Sequence, residues 1–146
     1  MLTTSIERDE EQVAALVRSA RRIAVLGIKT PQQAAQPAYY VPAYLAAAGL
    51  TILPVPVYYP DVTTLLGGPV YRRVAAVPGP IDIVLVFRRA EDLPAHVPDL
   101  LAARPPAVWF QSGIRNDAVA AQLSAAGILV VQDRCLMVDH RRYGSD

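Results

Sequence analysis

The stretch Ile81-Asp82-Ile83-Val84-Leu85-Val86 runs directly into Phe87-Arg88-Arg89. A short, β-branched, nearly continuous apolar run of this kind reads as a strand buried on both faces, as in a parallel sheet. The two arginines then stand at the carboxyl end of that strand. Four further runs share the character: Ile23-Ala24-Val25-Leu26, Thr51-Ile52-Leu53-Pro54-Val55, Ala107-Val108-Trp109-Phe110 and Ile128-Leu129-Val130-Val131.

Helical patterns lie between most of these runs. A first helix is expected over Ile6 to Arg21, with Thr4-x-x-Glu7 as a capping box and Val13, Leu16, Val17 and Ala20 on one face. Val41 to Ala48 stops at Gly49, Leu93 to Ala103 follows Glu91-Asp92, and Asp117 to Ala126 lies between Asn116 as N-cap and Gly127. Pro42 would break a helix begun at Pro37. Tyr58 to Pro80 has no clear periodicity, with room for a short edge strand and a turn of helix. Strand and helix alternate, so the expected class is α/β, with a doubly wound, mainly parallel sheet of about five strands and helices on both faces.

The 146 residues suit one domain, and a 53% hydrophobic fraction supplies a sizeable core. Net charge is +1, which gives no global field for nucleic acid or an anionic membrane. Phosphate recognition would have to come from local cations. The single cysteine, Cys135, excludes an intrachain disulfide. The acidic stretch Met1 to Glu10 lacks the apolar core of a secretory signal, and no apolar run reaches the roughly 18 residues of a membrane span. A cytoplasmic chain is expected.

If the chain starts at the central strand 23–26, winds out to 51–55, returns to 81–86 and continues outward, the winding reverses between 23–26 and 81–86. Ligands of open α/β sheets bind at that reversal, beyond the carboxyl ends of the strands. Three loops leave the sheet there: Gly27-Ile28-Lys29-Thr30-Pro31, Phe87-Arg88-Arg89-Ala90-Glu91 and Gln111-Ser112-Gly113-Ile114-Arg115-Asn116. A glycine after a strand permits close approach of a phosphate, Lys29 and Thr30 add a charge and a donor, and guanidinium groups bind phosphate bidentately. The plainer alternative for the arginines is pairing with Glu91 or Asp92. Neither G-x-G-x-x-G nor the P-loop pattern occurs. The second strand ends in Pro54-Val55-Pro56-Val57, without the acid that holds the ribose of NAD. A 3′-phosphorylated ribose, as in coenzyme A, would be repelled by such an acid. Tyr39, Tyr40, Tyr58 and Tyr59 could line a groove for adenine or pantetheine, or belong to core or interface.

Together these residues resemble the stand-alone CoA-binding-domain proteins related to the N-terminal domain of the succinyl-CoA synthetase alpha subunit. The matching segments are Arg22 to Gly27, Tyr44-Leu45 through Gly49 to Pro54-Val55, Leu66 to Tyr71, Ile81 to Arg89, Val108 to Ile114 and Gly127 to Cys135. The resemblance implies a three-layer Rossmann-type fold and coenzyme A as cofactor. It implies that Gly27, Ile28, Lys29 and Thr30 meet the nucleotide phosphates, that Pro56 and Val57 border the ribose or adenine, that Phe87, Arg88 and Arg89 border the cofactor, and that Gln111, Ser112, Gly113 and Ile114 lie near its pantetheine arm. Many relatives carry Ser two residues after the glycine, where this chain has Lys29, which leaves the phosphate contacts there open. The synthetase's phosphorylated histidine lies outside this domain, so no catalysis carries over.

No catalytic set is visible. His96, with Asp99 three residues on, and His140, after Asp139, read as surface residues without metal-ligand spacing. Cys135 follows Asp133-Arg134 at the sheet's carboxyl edge and reads as a structural thiol, with activation by Arg134 and a mixed disulfide with the CoA thiol as the alternative. The expected function is binding of CoA or acyl-CoA by a non-catalytic carrier, sensor or regulator. A small NAD(P)-dependent oxidoreductase and an interaction subunit with a vestigial pocket are the competing classes. The low charge and many tyrosines would suit a homodimer or partner face.

Overall fold

A computed structural model describes residues 5–144. Five parallel strands form the sheet: β1 (Arg22–Leu26), β2 (Thr51–Val55), β5 (Ile83–Val86), β6 (Ala107–Phe110) and β7 (Leu129–Val131), in the order β2-β1-β5-β6-β7. A two-residue hairpin, β3 (Thr64–Leu65) and β4 (Gly68–Pro69), lies beyond β2. The winding reverses between β1 and β5, whose last residues Leu26 and Val86 are register partners. The doubly wound expectation holds.

Strand residues alternate between two apolar layers. Ala24, Leu26, Val84, Val86, Val108 and Phe110 face the helices α3 (Val97–Ala103) and α4 (Asp117–Ala125). Ile23, Val25, Ile83, Leu85, Ala107 and Trp109 face α1 (Glu10–Ser19), α2 (Pro37–Ala47) and α5 (Leu136–Tyr143). Both faces are therefore covered, and that is why the strands read as continuous apolar runs. Each fully buried Val, Leu or Phe contributes about 1.5–3 kcal/mol of transfer free energy. Trp109 is fully buried and its indole N–H donates to the Arg134 carbonyl at 2.8 Å.

Several boundaries differ from expectation. The first helix begins at Glu10, capped by the Asp9 carboxylate on Gln12 N. Thr4 lies outside the described residues, and Glu7 sits before the helix, accepting from Ser5 Oγ at 2.9 Å and from Gln132 N at 3.2 Å. β5 begins at Ile83, and the Asp82 carboxylate just before it accepts both Arg21 N and Arg22 N at 2.8 Å, which fastens the start of β1. The helix expected over 93–103 splits into a 3₁₀ tract, Ala90–His96, and α3, since Pro94 lacks an N–H for the α-helical ladder. α2 begins at Pro37 and runs through Pro42. Pro42 cannot donate to the Ala38 carbonyl four residues back, and Lys29 N does so instead at 3.1 Å.

Tyr58 to Pro80 holds the hairpin and a 3₁₀ turn, Val74–Ala76. Arg72 organises its first half, donating to the carbonyls of Tyr58, Tyr59, Pro60 and Val62 at 2.8–3.3 Å. At the sheet's borders, Tyr71 N donates to the Pro54 carbonyl at 2.9 Å, and Ile6 N donates to the Val130 carbonyl of β7 at 2.8 Å. α5 has no counterpart among the helices expected from the sequence. It is anchored by Arg134, which pairs with Asp139 at 2.7 Å and with Glu10 of α1 at 2.6 Å.

Candidate functional site

The loops after β1, β5 and β6 meet around an open cleft of about 500 Å³ at the carboxyl edge of the sheet, within the size range of small-molecule sites. Lys29 comes from the first loop, Phe87, Arg88 and Arg89 from the second, and Gln111, Ser112, Gly113 and Ile114 from the third. Sequence reasoning named all eight. It did not name Gln36, Pro37 and Ala38, which bring the N-terminus of α2 to the same wall. That helix end carries partial positive charge. Since Pro37 has no N–H and Gln36 N, Tyr39 N and Tyr40 N donate to the carbonyls of Gln33 and Gln36, Ala38 N is the backbone donor it brings. Pro37, a favoured first helical residue, was the signal that could have placed it.

Five of the expected site residues do not line this cleft. Gly27 (φ +88°) faces the second loop: a Cβ on it would lie 2.4 Å from the Phe87 carbonyl oxygen. Its lack of a side chain lets the first two loops press together. Ile28 is buried in the layer with α1 and α2. Thr30 caps a 3₁₀ turn, donating from its hydroxyl to Gln33 Oε1 at 2.7 Å. Pro56 is buried, and Val57 is exposed just beyond β2. Of the four tyrosines, Tyr40 and Tyr58 are exposed and Tyr39 and Tyr59 half-buried. None lines the cleft.

The charges are unequally compensated. Arg89 donates from Nε to Asp92 Oδ2 at 3.0 Å and lies 3.9 Å from Glu91. Arg88 Nη2 lies 3.7 Å from the same Asp92 oxygen, its Nε donates to His96 Nε2 at 3.1 Å, and its guanidinium stacks 5.5 Å from the Tyr58 ring centre. The hydrogen bond from Arg89 holds the Asp92 carboxyl below its ordinary range. Lys29 forms a hydrogen bond to the neutral Gln36 Oε1 and, among the described residues, no ion pair. It is thus the least neutralised cation of the cleft.

Gln111 is almost fully buried, and its Oε1 accepts Leu136 N at 3.3 Å. The third loop is fixed from the neighbouring strand end: Asp133 Oδ1 accepts Gly113 N at 2.6 Å and Gln132 Oε1 accepts Asn116 N at 2.7 Å. The histidines are not plain surface residues. His96 is half-buried against Arg88, and His140 Nδ1 lies 3.0 Å from the Tyr44 hydroxyl. Burial pushes both below the ordinary imidazole range, with Arg88 adding to the effect at His96 and Arg21 at His140. Cys135 is half-buried, and the Arg134 guanidinium beside it in sequence is taken up by Glu10 and Asp139.

An open, doubly wound parallel sheet with a cation-lined cleft at its winding reversal defines a Rossmann-like α/β protein. The family model described as CoA binding domain matches residues 21–141. The chain belongs to that family. It is similar to the uncharacterized protein YneT of Bacillus subtilis (strain 168), 31% identical over 129 residues that span 88% of this chain and 92% of that protein. Among solved structures, the cell-free ID.343 protein of Thermus thermophilus is 40% identical, with a TM-score of 0.83 over 92% of this chain and 98% of that one. A hypothetical protein from Pyrococcus horikoshii OT3, 24% identical, shares the fold with a TM-score of 0.82 over 98% of each chain.

Proposed function

We propose that this protein binds coenzyme A or an acyl-CoA in the cleft between the loops after β1, β5 and β6, as a binding, sensor or regulatory module without catalysis of its own. One observation carries the reading: Lys29, Arg88, Arg89 and the N-terminus of α2 border a single cleft at the winding reversal. That arrangement suits a pyrophosphate, which takes guanidinium donors, an ammonium and a helix N-terminus together. Family membership supports the choice of ligand. The apolar end of β2, without an acid, favours a 3′-phosphorylated ribose over NAD. In this reading Gln111 to Ile114 face the pantetheine arm, while Gly27 acts by shaping the loops.

Thermal melting with added CoA tests it. Ligand at 100 times its dissociation constant adds about 2.7 kcal/mol of stability, about 5–10 °C for a chain of this size. A shift with CoA and none with NAD or NADP is the expected result. No shift at millimolar CoA, or a shift with NAD(P) alone, overturns the reading.

A further inference from the structure

We propose that His96 is a positioning residue for Arg88: a neutral imidazole that accepts from the guanidinium and holds it in the wall of the cleft. The proposal rests on reading that cleft as an anion site. The two adjacent arginines differ sharply. The Arg89 side chain is 75% exposed and the Arg88 side chain 15%. Arg89 is a surface cation held by carboxylates. Arg88 is enclosed, and its partners lie on three sides.

Arginine can only donate, so the 3.1 Å contact between Arg88 Nε and His96 Nε2 requires a lone pair on that ring nitrogen. The ring proton then sits on Nδ1 and the ring is uncharged. Among the groups around His96, burial and the Arg88 charge oppose protonation and outweigh Asp99 and Asp92, which favour it. Arg88 faces it from the loop after β5. Asp92 faces it from its own 3₁₀ tract, and that carboxylate is committed to Arg89. Asp99 faces it from α3, and its oxygens accept Val74 N at 2.7 Å and Ala75 N at 2.9 Å, with Arg73 3.8 Å away. Both acids are thus engaged elsewhere, and neither is hydrogen-bonded to the imidazole.

The bond to His96 fixes the end of the Arg88 stem, and the other two nitrogens then find Tyr58 Oη at 3.4 Å and Asp92 at 3.7 Å. The stem itself is packed, since its Cδ lies 3.1 Å from where a Cβ on Gly27 would stand. A guanidinium ordered before the ligand arrives loses less freedom on binding, which raises affinity without a new contact. His96 achieves this without a negative charge, so it does not compete for the cation as a carboxylate would.

Isothermal titration with CoA of the wild type, His96→Leu, His96→Gln, Arg88→Ala and Arg88→Ala/His96→Leu tests the assignment. Arg88→Ala weakens CoA by about tenfold or more. His96→Leu weakens it by about threefold to tenfold in the wild type and by less than about twofold on Arg88→Ala, because a positioning effect vanishes with the group it positions. His96→Gln, which offers an amide oxygen near the Nε2 position, restores most of the affinity. Equal losses from His96→Leu in both backgrounds, or a His96→Gln as weak as His96→Leu, overturn the proposal. Nitrogen NMR of the imidazole needs no ligand. It should show an unprotonated Nε2 whose titration moves upward in Arg88→Ala, and an unchanged titration there overturns the pairing. If CoA binds no variant, the proposed function fails and the NMR result alone decides whether His96 holds Arg88.

Discussion

The backbone N–H of Lys29 donates to the Ala38 carbonyl at 3.1 Å, the acceptor that Pro42 leaves without its helical donor. A proline inside a helix usually costs a hydrogen bond. Here the released acceptor ties the loop after β1 to the first turn of α2, and both border the cleft. Pro42→Ala should return an N–H to the helix and loosen the loop. Amide hydrogen exchange at Lys29 is expected to speed up, and CoA affinity to fall by about threefold. Unchanged protection at Lys29 would show that the loop is fixed from elsewhere.

Gly27 is required on two grounds: its φ of +88°, and the Phe87 carbonyl oxygen 2.4 Å from where a Cβ would stand. Left-handed backbone alone costs a non-glycine residue about 1–2 kcal/mol. The overlap is with main chain, which cannot swing aside. Gly27→Ala should therefore destabilise the fold by about 2–4 kcal/mol, seen in denaturant melts. A loss under about 1 kcal/mol would mean that the second loop yields easily.

Asp92 lies against both Arg88 and Arg89 and acts as an internal competitor for any anion in the cleft. Asp92→Asn keeps the shape and removes the charge. Inorganic pyrophosphate and CoA should both bind about threefold to tenfold more tightly at low salt, with the gain shrinking as salt rises. Weaker binding would instead identify Asp92 as a group that orders the arginines for the ligand.

Glu10 joins α1 to the end of the chain, accepting from Arg134 and from the Tyr143 hydroxyl. The Arg134 hydrogen bond first, then the Tyr143 hydroxyl, lower its carboxyl from an ordinary 4.5 to about 2. A folded value below the unfolded one gives stability that is present above pH 4.5 and lost as pH falls toward 2. Wild type should melt above Glu10→Gln at neutral pH, and the two curves should converge across that acid window. A constant offset down to pH 2 would assign the difference to packing.

Much of the fold is legible in the sequence because burial on two faces leaves a plain trace. β2 and β6 begin and end where their apolar runs do, and the reversal between β1 and β5 accords with the order of those runs. The basic loops are legible for the same reason: each comes directly after a buried strand. The features that escape depend on particular side-chain and main-chain contacts that leave no apolar pattern. α5 buries only Leu136 and Asp139 and is held by an ion pair, so it carries no apolar stripe. The Tyr58–Val62 segment takes its shape from Arg72, ten or more residues on. Pro42 signals a break only because its substitute donor, Lys29, is invisible to local reasoning. His96 looks like a surface residue because nothing near it in sequence announces the Arg88 contact.

Both borders of the sheet are dressed by the chain itself, with Ile6 donating to Val130 on one side and Tyr71 to Pro54 on the other. Bare ladders invite a neighbour's strand, and these are blunted. Two copies of this molecule consequently have little to gain by joining their sheets into one. A contact made helix against helix or loop against loop would leave these borders as they are, and there side chains rather than main chain choose the mate.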